Sequence, residues 1–549
     1  MSYKYGIDFG TTNSSIAFRF ADESESEHTW VVDVQDTYPR ETMPSLIYVN
    51  EEGLIKVGAE AQQIYRKNTS SSTKQKLIRK IKMDLEEQGT SLKYKVGAKE
   101  FSGVNLIAQI FKALKNKADI CADKADIDIH GVVMGVPVQY GDIQKNVIKK
   151  ALVEAGFYKD LTEADRETEF VSEPIAVAVH YGLDLKQNKN ILVFDFGGGT
   201  LDVAIINLKE QINANKLHPH ETIAKDRLTL GGEELTRLFF INSFCNRGKY
   251  GTREISNAFK LNSGLAPDEI WDAIADSSIG AEFIAEIEKC KCELSRQKQC
   301  EFSFIGPNDI YLDKCRFYRE DFENAIGPVL DKIEDFLDNL IDSCVEDGKL
   351  DDEYSIDFAI VAGGSSLIPC IQDILCDRFG RNHVMSRAVS NDETIARLKR
   401  RNISESEVLT SIVRGLAAVG CRTNDVVEDV VDNDYGVWDD KANDFIPIIK
   451  KGTKVKDTAI DKITLSGTYE TVQCTDITAH TVEVKVYQNN NQGVSKLGTI
   501  LICNPGGCEY RIYMQVDPQK GSLEVMFYDC VCSCWKDEIQ FDERKYELK

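Results

Sequence analysis

Apolar residues in this chain recur with two periods, and segments of each kind alternate along its length. Tyr3–Ser14 (YKYGIDFGTTNS) is a strand-like apolar run ending in Asp-Phe-Gly, followed by small residues and the start of a second strand-like run. Asn190–Asp202 (NILVFDFGGGTLD) repeats the pattern, its Asp-Phe-Gly lying 187 residues after the first. Ile356–Ser366 (IDFAIVAGGSS) is a third apolar run of buried-strand character, closed by two glycines. Glu282–Arg296 (EFIAEIEKCKCELSR) is instead apolar at three- and four-residue steps through Phe283, Ile284, Ile287 and Leu294, which predicts a helix. After Cys421 an acidic stretch (TNDVVEDVVDNDYG) gives way to short alternating runs at Thr481–Tyr487, Thr499–Cys503 and Ser522–Tyr528, the pattern of a compact all-β domain.

A self-similar unit at long spacing implies a duplicated architecture. In both copies a tight turn of Gly and Thr between two strands exposes consecutive backbone N–H groups, an arrangement that cradles phosphate oxygens. Ordinary glycine hairpins would read the same way singly; two copies and a third glycine turn imply one ligand held between two lobes. Asp8 and Asp195, just before the turns, would hold Mg²⁺ through its water shell, since this ion sheds water reluctantly. Thr11, Thr12 and Thr200 offer hydroxyls to phosphate oxygens or to those waters, or else simply stabilise the turns. Ser172-Glu173-Pro174 reads as a helix start, with Ser as cap and Glu favoured by the helix dipole.

At 549 residues the chain exceeds one hydrophobic core, so two to four domains are expected. With 42% hydrophobic and 28% charged residues it reads as folded throughout. Its net charge of −23 spreads a field that repels phosphate backbones, which argues against nucleic acid as a partner. No apolar run is long enough to span a bilayer and no secretory signal opens the chain, so a cytoplasmic protein without membrane partners is expected. The 16 cysteines are then expected to be free thiols. Cys530, Cys532 and Cys534 alternate as if on one face of a strand, without the paired spacing of a zinc site, and are read as structural thiols.

At these turns the chain resembles the DnaK-like 70-kDa heat-shock chaperones, whose nucleotide domain opens with a GIDLGTTNS-like turn and carries a second DLGGGTFD-like turn. Val133–Ala151 (VMGVPVQYGDIQKNVIKKA) is similar to the family's VPAYF segment, Phe170–Asp184 (FVSEPIAVAVHYGLD) to its NEPTAAALAYGLD segment, and Leu230–Glu234 to its LGGED. The resemblance covers about residues 1 to 420 and implies an α/β, two-lobed, actin-like (ribonuclease H-like) ATPase fold. The order of the later elements, with Phe445–Lys450 and Val516–Leu523 as landmarks, resembles the family's β-sandwich. The implied organisation is lobe I over 1–188, lobe II over 189–388, a return segment over 389–424, an acidic linker over 425–434 and a β-rich domain over 435–549.

The resemblance assigns the catalytic roles to Asp8, Lys74, Glu173, Asp195 and Thr200, with Glu173 positioning the attacking water. Aligning on Leu77-Ile78 would move the lysine to Lys76. Nucleotide contacts are expected from Gly10, Thr11, Thr12, Asn13, Gly197, Gly198, Gly199, Asp202, Gly231, Gly232, Gly363, Gly364 and Ser365. Glu288, Lys291 and Ser295 share one helix face and match the family's adenosine-binding residues; without the resemblance Glu288 and Lys291 would be a solvated pair. Leu367 stands where the family stacks an Arg on adenine, which removes a planar cation from the base.

The function implied by the resemblance is that of a slow, ATP- and Mg-dependent chaperone of the stress-response and protein-folding class, gripping extended apolar polypeptide, with J-domain co-chaperones and a nucleotide-exchange factor as partners. The interruption of the linker by Glu428 and Asp429 is expected to weaken its docking by hydrophobic burial. With seven residues after Asp542, no counterpart of the family's helical lid is expected. That favours a second reading, a nucleotide-sensing scaffold with little turnover that holds a dedicated partner. A sugar kinase of the same broad fold is disfavoured by the Ser-Glu-Pro helix and the β appendage.

Overall fold

A computed structural model describes residues 3–21, 27–36, 39–67, 74–137, 140–182, 189–208, 220–246, 250–275, 277–306, 310–352, 354–381, 383–385, 405–421, 427–428, 431, 433–439, 444–453, 455–460, 465, 467, 469–473, 481–490, 493–503, 509–516, 523–530, 534–536 and 539–541. Asn68-Thr69, Cys532 and Asp542 lie outside them, as does most of the segment from Asn382 to Glu407.

Two six-stranded sheets carry the duplication. In the first, Tyr3–Phe9, Asn13–Ala21 and Glu27–Val31 run antiparallel in sequence, and Ile129–Val136 and Thr168–Ser172 add in parallel on the other side of Tyr3–Phe9. In the second, Lys189–Phe196, Leu201–Leu208 and His220–Leu228 repeat the antiparallel set, and Phe358–Ala362 and Val384–Met385 repeat the parallel additions. Each sheet belongs to one lobe of the actin-like fold.

Alternation along the strands explains the layering. Leu192, Phe194 and Phe196 enter the large core of lobe II, whereas Ile191 and Val193 enter a separate core between the sheets. The period of two thus buries both faces of the strand, as its unbroken apolar run demands.

Two helices fill the space between the sheets. Glu173–Gly182 leaves the last strand of the first sheet and packs on the second through a core that includes Ile175, Val177, Ile191, Val193 and Ile360. Ser411–Cys421 returns the chain and lies on the first sheet, where Gly6 meets Leu416 and Ala417. The helices touch closely: a Cβ at Gly415 would sit 1.8 Å from the Ala176 carbonyl oxygen.

The C-terminal part is a β-sandwich of a five-stranded and a four-stranded sheet. Val437, Ile449, Val484, Val486 and Leu497 from the first meet Tyr510, Ile512, Met514, Leu523 and Phe527 from the second. Ile143 of lobe I packs against the same cluster, and Asp142 accepts a hydrogen bond from the Leu523 amide at 2.8 Å.

Val427–Glu428 of the acidic linker pairs in parallel with His220–Glu221 at the edge of the second sheet, a main-chain contact that does not require an apolar linker. Two expectations are corrected. Cys530 and Cys534 do not share a strand: Cys530 follows the strand Leu523–Asp529, and Cys534 opens an antiparallel neighbour in which it pairs with Asp529. Cys290 and Cys300 are joined as a disulfide rather than free, their Cα atoms 6.1 Å apart where helix meets strand in the core of lobe II. Among the described residues no group of His, Cys, Asp or Glu is arranged to bind a metal directly, and no helix is long and apolar enough to cross a membrane.

The Gly415 contact yields a test of the packed helix pair. Gly415→Ala should cost about 1–3 kcal/mol, the usual scale for forcing a methyl into a packed core, or more because it meets backbone. Gly327→Ala is the control: its Cβ meets nothing within 4 Å, and it lies in the Arg319–Glu346 helix, where Ala is favoured. Urea melts of the two variants should move in opposite directions; equal shifts would dissociate stability from the Gly415–Ala176 contact.

Candidate functional site

The first turn, Gly10–Thr12, is braced from outside by Ser45, whose hydroxyl donates to the Gly10 carbonyl at 2.7 Å and whose amide donates to the Thr12 carbonyl at 2.8 Å. The second turn closes on itself through Gly197 N to Thr200 O at 2.9 Å. Its carbonyls then take three more donors: Gly197 accepts from Gly232 N and from the Ser365 hydroxyl, and Gly198 accepts from Glu233 N. The Leu230–Glu234 segment and the third glycine turn are therefore stitched to the second turn. The two phosphate-type turns face each other at contact: a Cβ on Gly198 would sit 1.7 Å from Thr12 Oγ1. Only glycine permits that approach.

Behind the turns sits a buried charge cluster. Asp8, Glu173, Asp195 and Asp202 are all buried, as are Lys82 and Arg227. Lys82 Nζ lies 2.6 Å from Glu173 Oε1. Asp202 accepts from the Thr200 hydroxyl at 2.9 Å, and Arg227 Nε lies 3.7 Å from its other oxygen. Four acids thus share two cations, leaving an excess of negative charge out of water, an arrangement that demands a further cation or protons. Asp8 Oδ1 has no hydrogen-bond partner among the described residues.

The titration shifts have the same origin. Burial and the charge of Glu173 push Asp8 up to about 7 against the pull of Lys82. Burial, then Glu173 and Asp202, raise Asp195 well above the carboxylate range. Burial also raises Glu173, with Lys82 opposing. For Lys82 burial works against the charge, but Glu173 and Asp8 outweigh it and the ammonium is held above its ordinary value.

The structure brings most of the expected residues together but separates the lysines from them. Lys74 is exposed and pairs with Glu51 at 3.2 Å, and Lys76 lies over the Tyr94 ring. Lys82, which sequence reading overlooked, occupies the cluster instead. It sits in the Ile81–Gln88 helix between buried Ile81 and Leu85, and that apolar i, i+4 pair is the signal that its side chain borders the inward face. Ser45, Glu86, Arg227 and Thr236 were likewise missed, since only the tertiary fold brings them to the turns.

The helix expected over Glu282–Arg296 runs from Ser278 to Arg296, its N-terminus capped by the Ser277 hydroxyl. Lys291 is buried, not solvated: Nζ reaches the Gly232 carbonyl at 2.8 Å, Glu288 at 2.8 Å and Thr236 Oγ1 at 3.0 Å. Ser295 donates to the Lys291 carbonyl of its own helix. Gly232, Ser365 and Lys291 converge beside the second turn, since a Cβ on Gly232 would meet both side chains. Leu367 packs at the margin of the lobe II core.

The family model described as "Hsp70 protein" matches residues 4–490. The chain is 28% identical over 403 residues to the chaperone protein DnaK of Thermosipho melanesiensis, an alignment covering 72% of this chain and 58% of that relative. Against the DnaK of Thermosipho africanus it is 26% identical over 496 residues, covering 88% of this chain and 70% of the relative. With the DnaK of Prochlorococcus marinus the figures are 27%, 71% and 57%. The chain thus spans less than two thirds of the length of two of these relatives.

The raised carboxylates fix the sign of a pH effect. Their ionisation opposes folding, so the cost is absent below the ordinary carboxylate value of about 4 and, for Asp8, fully present above about 7. In chelator, Asp8→Asn removes a group that cannot ionise without cost. Its melting temperature relative to wild type should therefore rise from pH 5 to pH 8; a difference independent of pH would contradict the electrostatics of the cluster.

Proposed function

The chain belongs to the Hsp70 family, and we propose that it is an ATP-dependent chaperone that hydrolyses Mg·ATP between its lobes and uses the β-sandwich to bind extended apolar polypeptide. The observation that carries this reading is the Lys82–Glu173 pair, buried directly behind two opposed glycine turns. Main-chain N–H groups of Thr11–Asn13 and Gly198–Thr200 would cradle the phosphates. Gly231, Gly232, Lys291, Glu288, Ser295, Gly364 and Ser365 would line the adenosine side, with Leu367 offering apolar packing in place of a stacked cation.

A magnesium ion fits the donor set. The cluster has an excess of negative charge and an unpartnered Asp8 oxygen, while no three carboxylates converge to grip a bare ion among the described residues. Asp8 and Asp195 would hold it through its waters, and when bound it supplies charge neutralisation at the phosphates.

Glu173, oriented by Lys82, accepts a hydrogen bond from the attacking water. The water oxygen bonds to the γ-phosphorus as the bond to the leaving oxygen of ADP breaks, and ADP, phosphate and a proton are released. Lys82 offers its ammonium to the phosphoryl oxygens, and Thr200 its hydroxyl. Little covalent chemistry is asked of the protein beyond positioning and charge, as in other phosphoryl transfers. Peptide capture by the sandwich, J-domain and exchange-factor partners, and a cytoplasmic location are inferred from the family.

Two measurements test the reading. Mg·ATP at saturation should raise the melting temperature, because it binds only the folded chain. In single turnover, Lys82→Met and Glu173→Gln should each slow hydrolysis by about 10²-fold, the scale for losing one stabilising group at a transition state, while Lys74→Ala leaves it unchanged. Wild-type turnover in Lys82→Met, or a loss in Lys74→Ala, would return the role to the surface lysine.

A further inference from the structure

The Ile81–Gln88 helix carries a second charged side chain one turn beyond Lys82. Glu86 stands at i+4 on the same face, where it meets a cation from the other lobe: Arg227 Nη1 donates to Glu86 Oε1 at 2.5 Å. Arg227 lies on the His220–Leu228 strand directly opposite Asp202 in register. Asp202 in turn holds the Thr200 hydroxyl. A continuous line of side chains therefore runs Glu86, Arg227, Asp202, Thr200, from the outer helix of lobe I to the phosphate turn of lobe II.

Both ends of this line are fixed. The Tyr140 hydroxyl donates to the main-chain carbonyl of Lys82 at 3.1 Å, and Gln144 Nε2 donates to that of Glu86 at 3.1 Å. The helix is thus pinned at the two residues whose side chains reach inward. At the other end strand pairing fixes the Asp202 main chain, while one oxygen of its carboxylate is left to move. The middle is incomplete: Arg227 Nε and Asp202 Oδ1 are both buried, both without a hydrogen-bond partner among the described residues, and 3.7 Å apart. A shift of under about 1 Å would bring them within hydrogen-bonding distance. Both atoms belong to paired strands of lobe II, so the gap between them closes by a turn of the side chains, and the Arg227 side chain is the one that lobe I holds, through Glu86.

Resting on the ATPase reading above, we propose that Arg227 is a positioning residue: clamped to Glu86 across the cleft, it draws the Asp202 carboxylate into line and so orients the Thr200 hydroxyl for hydrolysis. Neither Arg227 nor Glu86 touches the nucleotide in this scheme. Their effect falls on the chemical step, not on binding, because what they set is the angle of a hydroxyl that acts in the transition state. The clamp also uses the property that distinguishes Arg from Lys, a rigid fork able to face Glu86 and Asp202 at once.

The experiment compares wild type, Arg227→Gln, Arg227→Lys and Glu86→Gln. Single-turnover hydrolysis should fall about 10²-fold in Arg227→Gln, the scale of a misplaced reacting group, with the Kd for ATP changed by less than about threefold. Arg227→Lys should recover part of the rate, and Glu86→Gln should lose part, with Arg227→Gln adding little to it in the double variant. Amide exchange in the nucleotide-free protein should quicken across Ile81–Gln88 in both Gln variants, which reads the clamp without any hydrolysis. Should Arg227→Gln fail to fold, Glu86→Gln, at a half-open site, carries the kinetic test. An unchanged rate, or a rate and a Kd that worsen together, overturns the positioning role; unchanged exchange overturns the clamp. A wild type that binds ATP without hydrolysing it would sink the ATPase reading, while the exchange result would still decide the clamp.

Discussion

The structure depends on one costly arrangement, a lysine buried among carboxylates at the meeting point of two lobes. Lys82 Nζ lies 2.6 Å from Glu173, and Asp8, Asp195 and Asp202 share the same dry volume. Desolvating such charges costs several kcal/mol each in real proteins, and one ammonium and one guanidinium cannot neutralise four acids. The raised Asp8 and Asp195 can relieve that cost by taking up protons, and a further cation would relieve it in the same way. The absence of a side-chain partner for Asp8 Oδ1 among the described residues is consistent with a site that is completed on binding.

One carboxylate of the cluster, Glu173, is held by an element that belongs to neither lobe alone. Glu173 is the first residue of a helix that starts at the end of the first sheet and packs on the second. The Ser411–Cys421 helix crosses back against it, with backbone close enough at Gly415 and Ala176 to forbid a side chain. A change in the angle between the sheets must therefore pass through this helix pair and through the carboxylate it carries. Ion pairs farther out bridge the same opening: Lys80 with Glu233 at 2.7 Å, and Arg227 with Glu86. The first is largely exposed and contributes little, while the second is buried and specific.

Local chemistry made the turns legible, and long-range chemistry was not. Asp8 and Asp195 could be read because the Asp-Phe-Gly turn that each opens is a contiguous signature of backbone that must approach a ligand. The shared order of five strands in the two sheets is the same duplication seen in three dimensions. Spacing along the chain points to Lys74, which lies exposed beside Glu51, whereas Lys82 reaches Glu173 because burial of Ile81 and Leu85 sets which face of its helix turns inward. Arg227 and Glu86 had no sequence signal, being 141 residues apart and meeting only across the cleft. Cys530 and Cys534 differ for another reason: alternation along the sequence does not reveal that one strand has ended and the next begun, and pairing of Asp529 with Cys534 does.

The contacts of the β-sandwich argue that its docking is conditional. It touches lobe I through Ile143 and through Asp142, whose carboxylate accepts the Leu523 amide, and lobe II through Lys451, 3.2 Å from Asp226. Asp142 is raised by burial, a sign that this contact desolvates a charge for which one amide and nearby lysines compensate incompletely. Asp226 adjoins Arg227 in the strand that faces the cleft, so the strand is loaded by the sandwich on one residue and by lobe I on the next. A rotation of the lobes that moved Arg227 would move Asp226 with it, and a surface pair of this kind is too weak to resist. The linker strand at Val427–Glu428, paired to the other end of that same strand, adds main-chain hydrogen bonds that do not depend on apolar residues. The linker thus meets the second sheet through its main chain, on the strand that also carries Asp226 and Arg227.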